Sequence, residues 1–189
     1  ARERARRARR ATRIGTPPAL AKSVTARLKL DRAPGAFARE LDPDVQAWLP
    51  ILKETPGWVV VPHLTPDADT LGSSLALARL LRVLGRPAIV ACQDPVVPRY
   101  DYLPGVEGVV VDAFPHRGLP DGAGAVGLDA ATFDRLGRMG PRIAEMRPLV
   151  NIDHHISNPG WGSHNLVDTK AAATGELVYL LYDFFNVPV

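Results

Sequence analysis

Cysteine is nearly absent from this chain of 189 residues, with Cys92 the only one. An intrachain disulfide is therefore excluded, and the composition fits a reducing cytoplasm, where we expect the protein to reside. Cys92 itself reads as a small buried residue at a strand end. No apolar run approaches the ~18–20 residues of a membrane span, so we expect no membrane partner. Aromatic residues supply only 6% of the chain, but 46% is hydrophobic, enough aliphatic material for one sizeable α/β core. The N-terminus also lacks an apolar h-region and is not a secretory signal. An Arg-rich, acid-poor start fits a mitochondrial transit segment as well, though without the usual serines. Because the chain begins with alanine, we expect its true start to lie upstream.

Charge is unevenly spread. The formal net charge is +3, but residues 1–13 hold seven arginines and one glutamate. The remainder carries 16 basic and 19 acidic residues, a net of −3. The folded body is thus slightly acidic, and the high pI is no footprint of a nucleic-acid-binding face. Residues 1–43 show no sustained period and contain turn chemistry at Thr16-Pro17-Pro18 and Pro34-Gly35. We expect a disordered or loosely helical extension there, followed by a catalytic domain over residues 44–189.

From Pro43 onward the pattern alternates. Val45, Trp48, Leu49 and Leu52 predict a helix over Pro43–Lys53, stopped by Pro56-Gly57. Short continuous apolar runs predict strands at Trp58–Pro62, Ala88–Cys92, Gly108–Asp112, Ala125–Asp129 and Leu149–Asp153, with an edge strand at Asn165–Asp168. Leu71, Leu75, Ala78, Leu81 and Leu84 predict a helix over Thr70–Leu84 that Gly85 ends. Short helices are expected at Thr132–Leu136 and Pro141–Glu145, and a longer one at Thr174–Phe185 with Thr174 as N-cap. Strands alternating with helices imply an α/β fold: a parallel sheet of about five strands with helices on both faces. In such sheets ligands sit beyond the carboxyl ends of the strands.

The chemistry gathers at those ends. His63-Leu64-Thr65-Pro66-Asp67-Ala68-Asp69 follows the first of these strands, Asp129 ends the fourth, and Asp153-His154-His155 closes the fifth. Divalent ions accept mixed imidazole and carboxylate ligands, and a carboxylate can bridge two of them. A two-metal clamp is a standard device for hydrolysing phosphate esters. The first turn of the Thr70 helix, with Gly72, Ser73 and Ser74, offers N–H groups for a phosphate. A lone Asp-x-Asp is commonly a turn or helix cap, and a lone histidine commonly a satisfied core residue. Three strand ends converging on one rim argue for a site instead. His116 and His164 have no such setting and read as surface residues, and Asp112 reads as a loop acid.

These motifs resemble the DHH phosphoesterase superfamily, whose signature stands here as Asp153-His154-His155. Within it the likeness is greatest to the bacterial oligoribonuclease/pAp phosphatase group, the nano-RNases. The matching stretches begin at His63, Gly127, Asn151 and Ala173, in family order, and cover about residues 45–189. The resemblance implies a Mn²⁺-dependent two-metal hydrolase, with Mg²⁺ or Co²⁺ as the alternative ions. One ion would be held by His63, Asp67 and Asp129, and the other by Asp69, Asp129 and His154. His155 would face the scissile phosphate as a catalytic and substrate-binding residue, with Ser73 also binding substrate. Asp153 would fix a neighbouring imidazole ring.

In this family a further aspartate completes the second metal site, and a C-terminal domain grips the substrate. Neither motif occurs before Val189, so we expect an N-terminal piece of a longer protein. Any homodimer would form through regions outside this chain. The implied substrates are RNA of two to five nucleotides, 3′-phosphoadenosine 5′-phosphate and linear dinucleotides. Two alternatives accompany that reading. One is an inorganic pyrophosphatase or exopolyphosphatase of the same superfamily. The other is a catalytically silent metal- or nucleotide-binding fragment.

Overall fold

The computed structural model describes residues 29–33, 36–115 and 118–189. The Arg-rich segment and His116 therefore lie outside the described residues. Strands β1 (Lys29–Ala33) and β2 (Ala36–Glu40) pair antiparallel as a sheet of their own. The sequence reading expected no strand here. The antiparallel register sets Lys29 opposite Glu40.

The main sheet follows. Helices α1 (Pro43–Trp48) and α2 (Ile51–Glu54) replace the one helix expected over 43–53. The break falls at Pro50, which has no N–H to continue the ladder. Asp42 caps α1, accepting from the Asp44 amide at 2.9 Å. Then come β3 (Trp58–Pro62), α3 (Ala68–Val83), β4 (Ala88–Cys92), β5 (Val110–Val111), β6 (Gly124–Leu128), α4 (Gly140–Ile143), β7 (Leu149–Asp153), β8 (His164–Val167) and α5 (Thr174–Phe184). Phe133–Met139 is a 3₁₀ segment. The third predicted strand shrinks to two residues because Val106–Gly108 closes into a 3₁₀ turn.

The six strands β5-β4-β3-β6-β7-β8 are parallel throughout. The chain starts at the centre, runs outward to β5, then returns to β6 beside β3. That reversal opens a crevice between the carboxyl ends of β3 and β6, where doubly wound sheets place their ligands.

Alternation along β3 divides the core. Trp58 and Val60 face one layer with Leu49, Leu52, Leu77, Leu81, Leu177 and Leu181, the apolar stripes of α1, α2, α3 and α5. Val59 and Val61 face the other with Leu136, Met139, Ile143 and Trp161. Helices thus cover one face, while a 3₁₀ segment, the short α4 and an indole cover the second. Gly127 in β6 has no side chain because the Trp161 ring lies directly on it. The Trp161 indole N–H also donates to the Ala130 carbonyl at 2.9 Å, anchoring the turn after β6. Cys92 is buried at the end of β4, and burial, then the nearby Asp94 charge, raises its thiol pKa to about 11. His164 departs from expectation. It is half-buried at the start of β8, its ring 5.4 Å from that of Trp48, and burial lowers its pKa.

Candidate metal centre

Beyond the crevice, the loop after β3 and the turn after β6 meet. His63 is buried, with its Nε2 3.7 Å from an Asp67 oxygen and 3.5 Å from an Asp129 oxygen. Its Nδ1 lies 2.6 Å from the Leu64 carbonyl. A carbonyl only accepts, so Nδ1 carries the proton and the Nε2 lone pair points at the carboxylates. His154 repeats the device. Its Nδ1 donates to the Ala171 carbonyl at 3.2 Å, and its Nε2 lies 3.6 Å from Asp129 and 3.8 Å from Asp69. Imidazoles held this way through their second nitrogen are what metal sites require.

Separations of 3.5–3.8 Å exceed a hydrogen bond. They are close to the ligand–ligand edges of an ion with bonds of about 2.1 Å. Two overlapping groups, His63/Asp67/Asp129 and Asp129/His154/His155, each bring three donor atoms within 4.8 Å of one another. Asp129 belongs to both. The donor set therefore fits a divalent cation, with imidazole and carboxylate ligands and no Lys or Arg ion pair on these carboxylates among the described residues.

The two helices meeting the rim are tied to it through these same acids. Asp67 is the N-cap of α3, and its Oδ1 accepts from the amides of Asp69 and Thr70 at 3.0 and 3.1 Å. Gly72, Ser73 and Ser74, expected to offer amides to a phosphate, instead lie past the first four residues of α3, where amides are taken up by the helix itself. Asp69 lies in the first turn of α3 and caps a different helix, accepting from Thr174 N at 2.8 Å and Gly175 N at 2.9 Å. Carboxylate lone pairs remain on both acids for a cation. Ser73 is not brought to the rim: it is buried and its hydroxyl donates to the Thr70 carbonyl at 3.2 Å.

Asp129 sits at φ 56°, a left-handed conformation that turns its carboxylate back over the sheet. It is almost fully buried. Burial alone would raise its pKa, but the facing His63 imidazole, the hydrogen bond from Thr174 and the nearby His155 ring hold it below the ordinary carboxylate value. For His63 burial works downward, and Asp129, the Leu64 carbonyl and Asp67 outweigh it, so its pKa is raised. The linkage has a definite sign. The stability from this raised His63 pKa is fully present below the unfolded value and is lost as pH rises through the folded value. A metal must displace that same proton. Apparent metal affinity should therefore fall about tenfold per pH unit below the His63 pKa, with proton release on binding. Titrations in buffers of different ionisation enthalpy read this directly, and a pH-independent affinity from pH 5 to 8 would contradict it.

Asp153 is fully buried behind the rim. One oxygen accepts from the His154 amide at 2.8 Å and from His155 Nδ1 at 2.7 Å, and the other from Asn158 at 2.5 Å. His155 Nδ1 is thereby occupied. His155 does not act through that nitrogen, and its half-exposed ring turns Nε2 outward, edge-on to His154 at 4.8 Å.

Two groups at the site escaped the sequence reading. Thr174 was expected as an N-cap, but Ala173 holds that position. The buried Thr174 instead donates its hydroxyl to Asp129 Oδ1 at 2.8 Å and its amide to Asp69, gripping both carboxylates. Thr174→Val keeps the shape and removes the hydroxyl. We expect metal affinity to fall about 10- to 100-fold with little change in Tm, measured by calorimetry. The second group is Asn158, which ties Asp153 to the Ala130 carbonyl. Only its place in Asp-His-His-Ile-Ser-Asn158 could have signalled it. Asp112 stays outside the site, exposed and paired with Arg138.

No family model matches the chain. Over 138 residues it is 36% identical to the bifunctional oligoribonuclease and PAP phosphatase NrnA of Thermus thermophilus, spanning 72% of this chain and 40% of that protein. The chain is an NrnA-like member of the DHH phosphoesterase family. The Bacillus subtilis protein of the same name is 27% identical over 120 residues, covering 64% of this chain and 36% of its own length. The chain thus spans about two fifths of the length of the curated relatives it matches. An exopolyphosphatase-related protein from Bacteroides fragilis superposes with a TM-score of 0.65 over 74% of this chain and 42% of its own. At 20% identity it establishes the shared fold.

Proposed function

We propose that this DHH domain belongs to a metal-dependent phosphohydrolase that cleaves short oligoribonucleotides and 3′-phosphoadenosine 5′-phosphate. The observation that carries the reading is the shared carboxylate. Asp129 stands between two imidazoles at the switch point of the sheet, each with its Nε2 turned toward it. The names of the two NrnA relatives supply the substrate class.

His63, Asp67 and Asp129 would hold one divalent ion, and Asp69, Asp129 and His154 a second, with Mn²⁺ the ion we favour. Bound there, such ions activate water and offset charge on phosphate oxygens. The chain's own residues do the rest. His63 and His154 keep Nε2 free because backbone carbonyls hold the proton on Nδ1. Asp129 stays ionised through Thr174 and His63. His155, braced by Asp153, offers Nε2 to a phosphate oxygen where charge builds up.

The test is a parallel assay with Mn²⁺ on 3′-phosphoadenosine 5′-phosphate, RNA trinucleotides and pyrophosphate. Preferential release from the first two supports the reading. Turnover of pyrophosphate alone would transfer the protein to the pyrophosphatase class, and metal binding without turnover would mark a silent module.

A further inference from the structure

Arg135 stands on the 3₁₀ segment that follows Asp129, and its backbone is fixed at both ends. Its amide donates to the Thr132 carbonyl at 3.0 Å, and its carbonyl accepts from Leu64, next to His63, at 2.8 Å. The side chain is exposed, and its guanidinium lies 3.5 Å from His63 Nδ1. That contact is not a hydrogen bond. The Leu64 carbonyl, at 2.6 Å, already takes the Nδ1 proton, and two donors cannot satisfy one another. Among the described residues no carboxylate pairs with Arg135, whereas Arg138 on the same segment is bound to Asp112. A guanidinium costs side-chain entropy to hold, and here it rests against an imidazole nitrogen that offers it no acceptor. An unpaired cation in that place is best explained by an anionic ligand beyond the carboxylate cluster.

We propose that Arg135 binds a second phosphate group of the substrate, one imidazole's width from the phosphate held at the Asp129 rim. The inference rests on the phosphohydrolase reading and adds a specificity element to it. A guanidinium fork matches phosphate oxygens in a bidentate way, and the exposed side chain can swing to meet them. 3′-Phosphoadenosine 5′-phosphate carries two phosphates, and so does an RNA of three nucleotides or a 5′-phosphorylated dinucleotide, whereas inorganic phosphate and nucleoside monophosphates carry one. Arg135 would therefore favour bisphosphates and oligonucleotides over single-phosphate compounds.

Binding to the Mn²⁺-loaded protein tests this without relying on turnover. Calorimetry with 3′-phosphoadenosine 5′-phosphate and with adenosine 5′-monophosphate would compare the parent with Arg135→Ala and Arg135→Lys. We expect Arg135→Ala to lose about 10- to 100-fold in affinity for the bisphosphate, as for a charged hydrogen bond, with a much smaller loss for the monophosphate. Lysine should recover part of the loss, and metal content should stay at the parent level. Equal affinities of parent and Arg135→Ala for the bisphosphate would overturn the inference. So would an equal loss for both ligands together with lost metal, which marks a structural role. If the parent binds neither nucleotide, the phosphohydrolase reading itself falls and the inference with it.

Discussion

Replacing Asp129 with asparagine is expected to strip divalent metal from both clusters at once. The substitution keeps the size of the side chain and an oxygen for the Thr174 hydroxyl. Asparagine also tolerates the left-handed backbone at this position, so the fold should survive. What is lost is the charge that both imidazoles face at 3.5 and 3.6 Å. Affinity should fall by more than the ~100-fold typical of an outer-sphere partner. Asp67→Asn provides the contrast, since Asp67 contributes to the His63 cluster alone. Metal content after dialysis, read by atomic emission, distinguishes the two. Normal metal content in Asp129→Asn would sink the idea of a shared ligand.

Asp153 yields the second large effect, of a different kind. It has no exposed surface and accepts from His154, His155 and Asn158. Asp153→Ala leaves three buried or half-buried donors without a partner. Breaking such a network costs about 3 kcal/mol, which would appear as a lower urea midpoint. Asp153→Asn is milder for stability and more telling for chemistry. It retains an oxygen for the backbone amide but removes the charge behind His155. Hydrolysis should then drop about 10- to 100-fold while bound metal stays. A variant with parental turnover would show that the ring of His155 needs no carboxylate behind it.

Much of this site was legible because its residues are sequence-local. The strand runs Trp58–Pro62, Ala88–Cys92 and Leu149–Asp153 coincide with the observed β3, β4 and β7, since strands buried on both faces are written as unbroken apolar runs. The carboxyl ends of β3 and β7, with that of β6, then bring His63, His154 and Asp129 to one rim. Hydrogen bonding between distant segments was not legible. Asp69 was weighed as a cap for its own helix, but Asp67 takes that role, and Asp69 reaches 105 residues along the chain to Thr174. Ser73 was expected to bind substrate from the helix start, but it is buried and its hydroxyl bonds the Thr70 carbonyl of its own helix. Arg135 stood in the matching stretch that begins at Gly127 but was given no role there, and the 2.8 Å bond from Leu64 to its carbonyl ties its segment to the His63 loop.

The same contacts explain how the rim is held open for a cation. Thr65, at φ 48°, is kept in a conformation unfavourable for a β-branched residue. Its amide donates to Asp94 at 2.8 Å, and neighbouring Gln93 accepts from the Arg138 amide at 2.8 Å. The loop after β4 thus braces both the His63 loop and the segment following Asp129. Backbone strain held by its surroundings is commonly found where a site needs fixed geometry.

The most direct test of the account is a Mn²⁺ titration of the metal-free protein near pH 7.5, counting free ion by its electron paramagnetic resonance signal. The account predicts saturable uptake of two ions that both depend on Asp129, the one at His63 and Asp67 separable by Asp67→Asn. No saturable uptake, or uptake that persists in Asp129→Asn, would contradict it.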